Sequence, residues 1–512
     1  MKRRRLLALV LGTCLAVPAA AAMATGTTPA PAGEERSSRI TDVQVTRKES
    51  LGTFGGRPYE RLAGTVSGLV SGKEHVAGLD SVAGTDGDHT YTSGFELIRP
   101  VGQDDRSEVV VEAENRGMPL LLHGYNSMQD APPTGAPQDV SYSPGMGDGF
   151  LFDEGRSYAR VQWQTGISPG VPESAQGVGQ VIVRDFGRLL RTGWLDGADS
   201  PLGAYEHRLL VGLSQASWFV TSFVAEGFND AGGRVFQGAY AQDGAGNQLA
   251  INGVAAADGE PQVPYVRPDG VPLTPEQVLR RPATDPVFVD VAAYTDYYRL
   301  RAGISRQADP VHNYYRYDWP AAHNPVLSAA SADIAFQQFG CNNGNPIPLN
   351  PLHSQPYGRA LLVALERRLG IGGPRGTMPP EQLVTAGARP ADPALLNGLP
   401  GREVTVPQTN ADGFPIGGVR FPAADLPLGS PIPPAVAPVS TASITAVCGN
   451  YGGWQPYTAE ELRRRYGSLD DYLSAYDARV TSLIGSGLLL ERDRKTLLDR
   501  AAHEWSKAPT KS

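Results

Sequence analysis

The chain has 512 residues, of which 41% are hydrophobic and 19% are charged, so it holds enough apolar material for a large buried core. Its 45 basic and 53 acidic residues give a formal net charge of -8. A surface of this sign repels phosphate backbones, and no basic run offsets it. We therefore expect no nucleic-acid partner.

The N-terminal residues MKRRRLLALVLGTCLAVPAAAAMA have the layout of a cleavable secretory signal. A basic start precedes an apolar run from Leu6 to Val17 that is too short to span a bilayer, and small residues continue to Ala24. A lipid anchor at Cys14 and an uncleaved membrane anchor are the alternatives. We expect cleavage near Ala24, which makes residues 1–24 a signal peptide and residues 25–39 a flexible lead-in rich in Pro, Ser and Thr.

Export has consequences for the charge and the cysteines of the mature chain. Cleavage removes four basic residues and no acid, which leaves 41 basic against 53 acidic residues and a net charge of -12. No later segment is apolar for long enough to cross a membrane, so we expect a secreted protein. Cys341 and Cys448 remain as a pair in an oxidising compartment, which favours a disulfide over two buried free thiols.

Strand-like and helix-like segments alternate through the middle of the chain. The β-branched or apolar runs EVVVEA, YARVQW, RLLVG, VFQGAYA and PVFVDVAAYTD are typical of strands, whereas VGQVIVRDFGRLLRTG and residues 216–228 have helical spacing. This order favours an α/β fold, a mostly parallel sheet covered by helices. Such sheets carry their chemistry at the carboxyl ends of their strands.

Two serines match the turn pattern G-x-S-x-G of a nucleophilic serine to different degrees. Ser168 lies in GISPG, but Pro169 has no N–H to offer an oxyanion and the following residues do not begin a helix cleanly. Ser214 lies in GLSQA, between an apolar strand and an apolar helix face, and Gln215 can donate its N–H. We therefore predict Ser214 as the nucleophile and Ser168 as a loop residue with a chance match.

A base and an acid should follow the serine in the order Ser, Asp or Glu, His. His312, His323 and His353 follow Ser214 outside the charged C-terminal region, and His323 is preferred because it comes just after the aromatic run NYYRYDW. The strand PVFVDVAAYTD offers Asp290 and Asp296 as the acid. Asp296 is preferred because it ends the strand, whereas Asp290 would be buried within it.

Several motifs in the same order resemble the uncharacterised bacterial α/β-hydrolase domain proteins. They are VVEAENRG, GLSQAS, the strand ending in YTD, RQADPVHNYYRYDWPAAH, DGFPIGGVRFP and GNYGGWQPYTAEELRRRYGSLDDY, between about Ile40 and Leu498. The resemblance implies an α/β-hydrolase fold and a serine esterase-like triad on Ser214, Asp296 and His323. It also implies that the loop Asn115–Arg116–Gly117 supplies a second oxyanion N–H from Arg116 or Gly117. The chain departs from the family at Tyr294, where an acidic residue is usual.

These expectations divide the chain and define its chemistry. Residues 40–378 are expected to form the catalytic domain with an N-terminal β-rich extension, and residues 379–512 a Pro-rich segment and C-terminal helical region that packs on it. We expect a carboxylesterase-like serine hydrolase that acts on a small-molecule or polymeric ester, without cofactor or metal. A peptidase, an amidase or an acyltransferase with the same triad, and a non-catalytic binding protein of this fold, are the alternatives.

Overall fold

The computed structural model describes most of the chain from residue 37 onward. The described residues are 37–74, 76–84, 87–102, 108–127, 147–164, 166, 171–172, 174–175, 177–249, 272–306, 310–323, 348, 350–389, 404–433 and 453–510. From Ser38 onward they belong to one compact unit. The predicted signal peptide, Ser168, Cys341 and Cys448 lie outside the described residues.

The described strands form one large central sheet and several small two-stranded sheets. Their bounds are β1 (Arg39–Phe54), β2 (Arg57–Val70), β3 (His89–Pro100), β4 (Glu108–Glu112), β5 (Ser157–Val161), β6 (Trp194–Leu195), β7 (Ala198–Asp199), β8 (His207–Leu213), β9 (Gly238–Gln242), β10 (Val287–Ala293), β11 (Tyr314–Trp319), β12 (Ala386–Arg389), β13 (Val404–Pro407), β14 (Gly429–Ile432) and β15 (Gly453–Pro456).

Among the described residues, nine strands form one sheet in the order β1-β2-β3-β5-β4-β8-β9-β10-β11. The six strands from β5 to β11 in this order are parallel to one another. β1, β2 and β3 extend the sheet as antiparallel strands, and β3 pairs antiparallel with β5. The expected mostly parallel sheet with a β-rich N-terminal extension is confirmed.

Helices cover both faces of the sheet. They are α1 (Leu120–Ser127), α2 (Val178–Thr192), α3 (Gln215–Ala225), α4 (Pro275–Val278), α5 (Asp296–Arg299), α6 (Gln355–Leu369), α7 (Pro422–Asp425), α8 (Ala459–Tyr466), α9 (Leu469–Gly485) and α10 (Arg494–Ser506), with 3₁₀ turns at Leu79–Ser81 and Glu491–Asp493.

The alternation of side chains along the strands produces two cores. Val109 and Val111 of β4 pack with α2 and α3 on one face, while Val110 packs with α1 and α6 on the other. The central strands are buried on both faces, which explains why their sequences are continuous apolar runs.

The C-terminal helices extend the second of these cores. Buried residues of α9 and α10 belong to the same apolar cluster as the inner face of α6. The predicted helical tail therefore packs against the sheet-covering helices. Within the described residues, none of the helices combines the length and the apolar character needed to cross a bilayer.

Candidate active site

Ser214 lies on a sharp turn between β8 and α3, at the carboxyl edge of the parallel sheet. Its φ of 57° and ψ of −124° are a conformation that non-glycine residues rarely adopt. The turn is held by the Ser214 N–H, which donates to the Gln242 carbonyl at the end of neighbouring β9, 2.8 Å away. Ser214 therefore lies just beyond the end of β8, between the strand and α3.

Gly212 makes this tight turn possible. A Cβ at this position would lie 2.2 Å from the Ala216 carbonyl oxygen and 2.8 Å from Val220 Cγ2. The first glycine of the pattern is therefore required by the close approach of the helix to its own strand. Ala216, which replaces the pattern's second glycine, is fully buried and fits there.

The predicted base and acid meet Ser214 in an unbroken chain of hydrogen bonds. Ser214 Oγ is 2.9 Å from His323 Nε2, and His323 Nδ1 is 2.6 Å from Asp296 Oδ1. His323 and Asp296 are both buried. The structure thus brings together three side chains that lie far apart in sequence, with Ser214 and His323 separated by 109 positions and Asp296 and His323 by 27.

Backbone and side-chain bonds fix the acid and the base in place. The Ala293 N–H donates to the second carboxylate oxygen of Asp296 at 2.9 Å, and the His323 N–H donates to Thr295 Oγ1 at 2.7 Å. Asp296 opens the short helix α5 directly after β10, and His323 follows β11 in the loop predicted from PAAHNP. Parallel pairing of β10 with β11 is what places the two loops side by side.

The loop after β4 lies against the serine turn. Asn115 Nδ2 donates to the Leu213 carbonyl at 3.0 Å, and Arg116 Nε donates to Gln215 Oε1 at 3.0 Å. Arg116 and Gly117 both have positive φ, 53° and 80°. Residues 115–117 therefore adjoin Gln215, and their role as an oxyanion loop stays a prediction.

Three backbone N–H groups near Ser214 suit an oxyanion. Gln215 is the first residue of α3, so its N–H has no carbonyl partner within the helix. Among the described residues, no backbone carbonyl accepts from the N–H of Arg116 or of Gly117. These are the donors that the sequence and the resemblance predicted.

Two buried glutamates, Glu112 and Glu114, come just before the loop of residues 115–117 and are held by hydrogen bonds. Glu112 accepts from the Leu121 N–H at 2.7 Å and from the Tyr158 hydroxyl at 2.7 Å, which ties β4 to the start of α1. Burial raises the pKa of Glu112 to about 8. Glu114 accepts from Arg160 Nη1 at 2.6 Å, and burial raises its pKa to about 7. The glutamates of VVEAENRG are thus buried, hydrogen-bonded groups that precede residues 115–117 in the chain.

Asp243 is a buried acid near the triad that sequence reasoning missed. It follows β9 with a φ of 60° and is fully buried. Burial raises the pKa of Asp243 well above its usual range, and the negative charge of Asp296 raises it further. The sequence shows only that Asp243 follows the strand-like run VFQGAYAQ, and it does not show that this strand lies beside the one that precedes Asp296.

The alternatives weighed for the acid and the base lie elsewhere. Asp290 is buried within β10, where it pairs with Arg316 and accepts from the Tyr314 hydroxyl at 2.8 Å. His312 precedes β11, and His353 lines an apolar cavity of about 260 Å³ bordered by the C-terminal helices. That cavity contains none of the triad side chains, so the hydrogen-bonded chain rather than the cavity defines the site.

Within the described residues, no group of three His, Cys, Asp or Glu side chains has the arrangement of a metal site. The described residues around Ser214 instead offer a hydroxyl, an imidazole, a carboxylate and backbone N–H donors. That set is suited to attack on a carbonyl carbon followed by proton transfer.

Comparison with known proteins agrees with this architecture. A family model described as Alpha/beta hydrolase domain matches residues 148–499. A crystal structure of a protein provisionally named as a dienelactone hydrolase, from Klebsiella pneumoniae subsp. pneumoniae MGH 78578, matches 48% of this chain and 90% of that chain, with 11% identity and a TM-score of 0.26. At that TM-score the likeness supports no conclusion about this chain. A comparison with curated proteins gives no match. Because the family model spans more than half of the sequence, the chain belongs to the alpha/beta hydrolase domain family.

Proposed function

We propose that the protein is a serine hydrolase that cleaves carboxylic esters through an acyl-enzyme. The single observation that carries the proposal is the series of two hydrogen bonds through His323. One joins Ser214 Oγ to His323 Nε2 at 2.9 Å, and the other joins His323 Nδ1 to Asp296 Oδ1 at 2.6 Å. The strained φ of Ser214 adds support, because such strain is characteristic of functional turns.

Each of the three hydrogen-bonded side chains has a role in acylation. His323 Nε2 takes the proton from Ser214 Oγ as the oxygen attacks the ester carbonyl carbon. Asp296 holds the imidazole by its Nδ1–H and stabilises the positive charge that develops on the ring. The protonated His323 then gives its proton to the departing alcohol oxygen, and the acyl group stays on Ser214.

The oxyanion of the tetrahedral intermediate is bound by backbone donors. The N–H of Gln215 and the N–H of Arg116 or Gly117 face the negative oxygen, each contributing about 3–4 kcal/mol to the transition state in comparable sites. The fixed loop contacts of Asn115 and Arg116 hold these donors in position before substrate arrives.

Deacylation repeats the steps with water as the nucleophile. His323 removes a proton from water, the hydroxide oxygen attacks the acyl carbon, and Ser214 Oγ leaves with the proton from His323. The products are a carboxylic acid and an alcohol. The acyl and alcohol groups are then set by the surfaces around the triad.

Covalent labelling tests the nucleophile. A fluorophosphonate probe should label the wild type and Ser168→Ala equally, because Ser168 shares the serine pattern but has proline after it. Ser214→Ala should not be labelled. Labelling that survives Ser214→Ala contradicts the assignment.

A substrate panel tests the reaction class. Nitrophenyl esters, anilides and short peptides, assayed with wild type and Ser214→Ala, should give serine-dependent turnover of the esters above the amides. Serine-dependent turnover of peptides alone would identify a peptidase, and transfer to added alcohols in place of water would identify an acyltransferase. An intact fold with no serine-dependent turnover of any class would identify a binding protein.

A further inference from the structure

Arg116 is an exposed cation at the edge of the proposed oxyanion site. Its backbone belongs to the loop that adjoins Gln215, and its φ of 53° places it in the left-handed region that arginine rarely adopts. Arg116 is exposed, whereas its neighbours Asn115 and Gly117 are buried. The loop thus turns a long, charged side chain outward beside the reacting serine.

One contact sets the direction of this side chain. Arg116 Nε donates to Gln215 Oε1 at 3.0 Å, and Gln215 immediately follows Ser214. Gln215 is itself buried, with 4% of its surface exposed, so its amide is a fixed anchor. A guanidinium held by Nε leaves the N–H groups of both Nη atoms for another partner.

Arg116 differs from the buried arginines of the sheet. Arg160 and Arg316 each pair with two carboxylates, and Arg156 pairs with Glu366 through both oxygens. In contrast to these arginines, Arg116 has no carboxylate of the described residues within ion-pair distance. As far as the described residues show, the fork of Arg116 is therefore available to an anionic group.

We propose that Arg116 determines substrate specificity by binding a carboxylate of the ester substrate, so that the enzyme prefers esters carrying an anionic group near the scissile bond. This inference rests on the proposed ester hydrolysis at Ser214 and adds the charge class of the substrate. A planar guanidinium binds a carboxylate through two parallel hydrogen bonds, which gives both affinity and orientation. Binding the anion beside Gln215 orients the carbonyl toward Ser214.

Two matched pairs of substrates test the preference without assuming which side of the ester carries the charge. The first pair is the 4-nitrophenyl monoester of adipic acid and its neutral isostere 4-nitrophenyl 6-methylheptanoate. The second pair is 4-carboxyphenyl acetate and 4-isopropylphenyl acetate. For wild type, kcat/KM for the anionic member should exceed that for the neutral member by about tenfold or more in at least one pair, as for a charge-assisted contact.

Variants of Arg116 test whether that residue causes the preference. Arg116→Met should abolish the preference, so that the ratio of anionic to neutral kcat/KM falls to about one. Arg116→Lys should keep part of the preference, because lysine keeps the charge and loses the planar fork. Arg479→Met is the matched control, since Arg479 is an exposed arginine on α9. Its ratio should equal that of wild type.

Salt gives a second readout that a merely structural role would not produce. The wild-type ratio should fall as NaCl is raised to about 0.5 M, because screening weakens an exposed charge pair. The ratio for Arg116→Met should not change with salt. If Arg116→Met does not fold, the salt dependence of the wild type and the ratio for Arg116→Lys decide the question.

The outcomes separate this inference from the function on which it rests. Serine-dependent hydrolysis of both members at equal rates, or a preference that persists in Arg116→Met, overturns the role of Arg116 and leaves the esterase proposal intact. No serine-dependent hydrolysis of any ester by wild type overturns the esterase proposal. Fluorophosphonate labelling of Arg116→Met shows whether its Ser214 is still reactive.

Discussion

Asp290 and Asp296 show how position along one strand separates a structural carboxylate from a candidate catalytic one. Asp290 lies inside β10 and is enclosed with Arg316 and Tyr314, whereas Asp296 lies beyond the strand's end and reaches His323. A buried carboxylate within a sheet needs a charged partner, and Arg316 provides it. The same residue type thus serves packing in one place and the proposed chemistry in the other.

Asp296→Asn should lower kcat by several orders of magnitude while the protein stays folded. The amide can donate to the imidazole and favour the wrong tautomer, an effect of about 10⁴-fold in comparable triads. Ester turnover and circular dichroism, measured on the same preparations, check this.

Asp290→Asn is the matched variant for that prediction. It should lower stability, because Arg316 loses a buried charge partner, with a smaller effect on turnover of the folded fraction. If Asp290→Asn abolishes turnover with folding intact and Asp296→Asn does not, the assignment of the acid is wrong.

At the scale of elements, the start of α1 depends on one carboxyl group. Glu112 ends β4 and accepts from the Leu121 N–H in the first turn of the helix. The residues between β4 and α1 include the candidate oxyanion loop. The protonation state of Glu112 therefore bears on how firmly that loop is held.

Replacing Glu112 with Gln should change the pH dependence of stability. Burial raises the pKa of Glu112 from 4.5 to about 8, so the folded protein keeps a proton that the unfolded chain releases. The contribution of Glu112 to the free energy of unfolding of the wild type should then fall as pH rises from about 4.5 to about 8. Glu112→Gln cannot lose this proton, so its stability relative to wild type should rise by up to about 1.4 kcal/mol per pH unit.

Urea unfolding at several pH values across this window measures the difference. Glu226→Gln, at an exposed glutamate at the end of α3, is the control and should show no such trend. A stability difference that stays flat or reverses with pH would mean that the hydrogen bonds from Leu121 and Tyr158 keep Glu112 ionised in the folded protein.

The turn of β8 into α3 was predictable from sequence because its causes are local. A continuous apolar strand, a glycine at the point of close approach and an apolar helix face are all visible in RLLVGLSQASWFV. Asp296 and His323 were preferred because each follows a strand-like run. In the structure those strands, β10 and β11, are parallel neighbours, so both residues lie at the carboxyl edge of the sheet. Parallel topology thus converts three separate loops into one site.

Asp243 and the partners of Asp290 were harder to foresee because their causes are non-local. The position of β9 between β8 and β10 is a property of the sheet order, and only that order brings Asp243 near Asp296. Likewise, Arg316 reaches Asp290 because β11 pairs with β10 in one register. The small sheets β12–β13 and β14–β15 also join residues that are far apart in sequence.

At the scale of the whole molecule, export and the cysteine pair remain predictions. The signal peptide, Cys341 and Cys448 lie outside the described residues. Mass spectrometry of exported protein tests both proposals together: we expect a chain starting near Thr25 with Cys341 and Cys448 joined. Two alkylatable thiols, or a lipid on Cys14, would contradict them.

Arg359 connects distant parts of the described unit through one fully buried guanidinium. It lies on α6 and donates to the Tyr125 carbonyl at the end of α1, to both carboxylate oxygens of Asp148 at 2.8 Å, and to Asp493 at 2.7 Å. Its charge also lies 4.7 Å from the centre of the Phe150 ring. The C-terminal helices are thereby tied to the helix that follows the candidate oxyanion loop.

Arg359→Met should therefore lower the free energy of unfolding by about 3–5 kcal/mol, because the buried carboxylate of Asp493 loses its partner. Arg368→Met on the same helix is the control and should change stability by about 1 kcal/mol or less, since the partners of Arg368 among the described residues are partly buried neutral groups. Urea unfolding measures both variants.

Adding Asp493→Asn to Arg359→Met separates the loss of an ion pair from the loss of packing. If the unpaired charge is the main cost, the double variant should be more stable than Arg359→Met alone, because the buried carboxylate that lost its partner is no longer present. If the double variant is no more stable, the cost arises instead from the bonds to Asp148 and Tyr125 and from the contact with Phe150. In that case Asp493 does not hold the C-terminal helices through its charge, and their attachment rests on the apolar cluster that α9 and α10 share with α6.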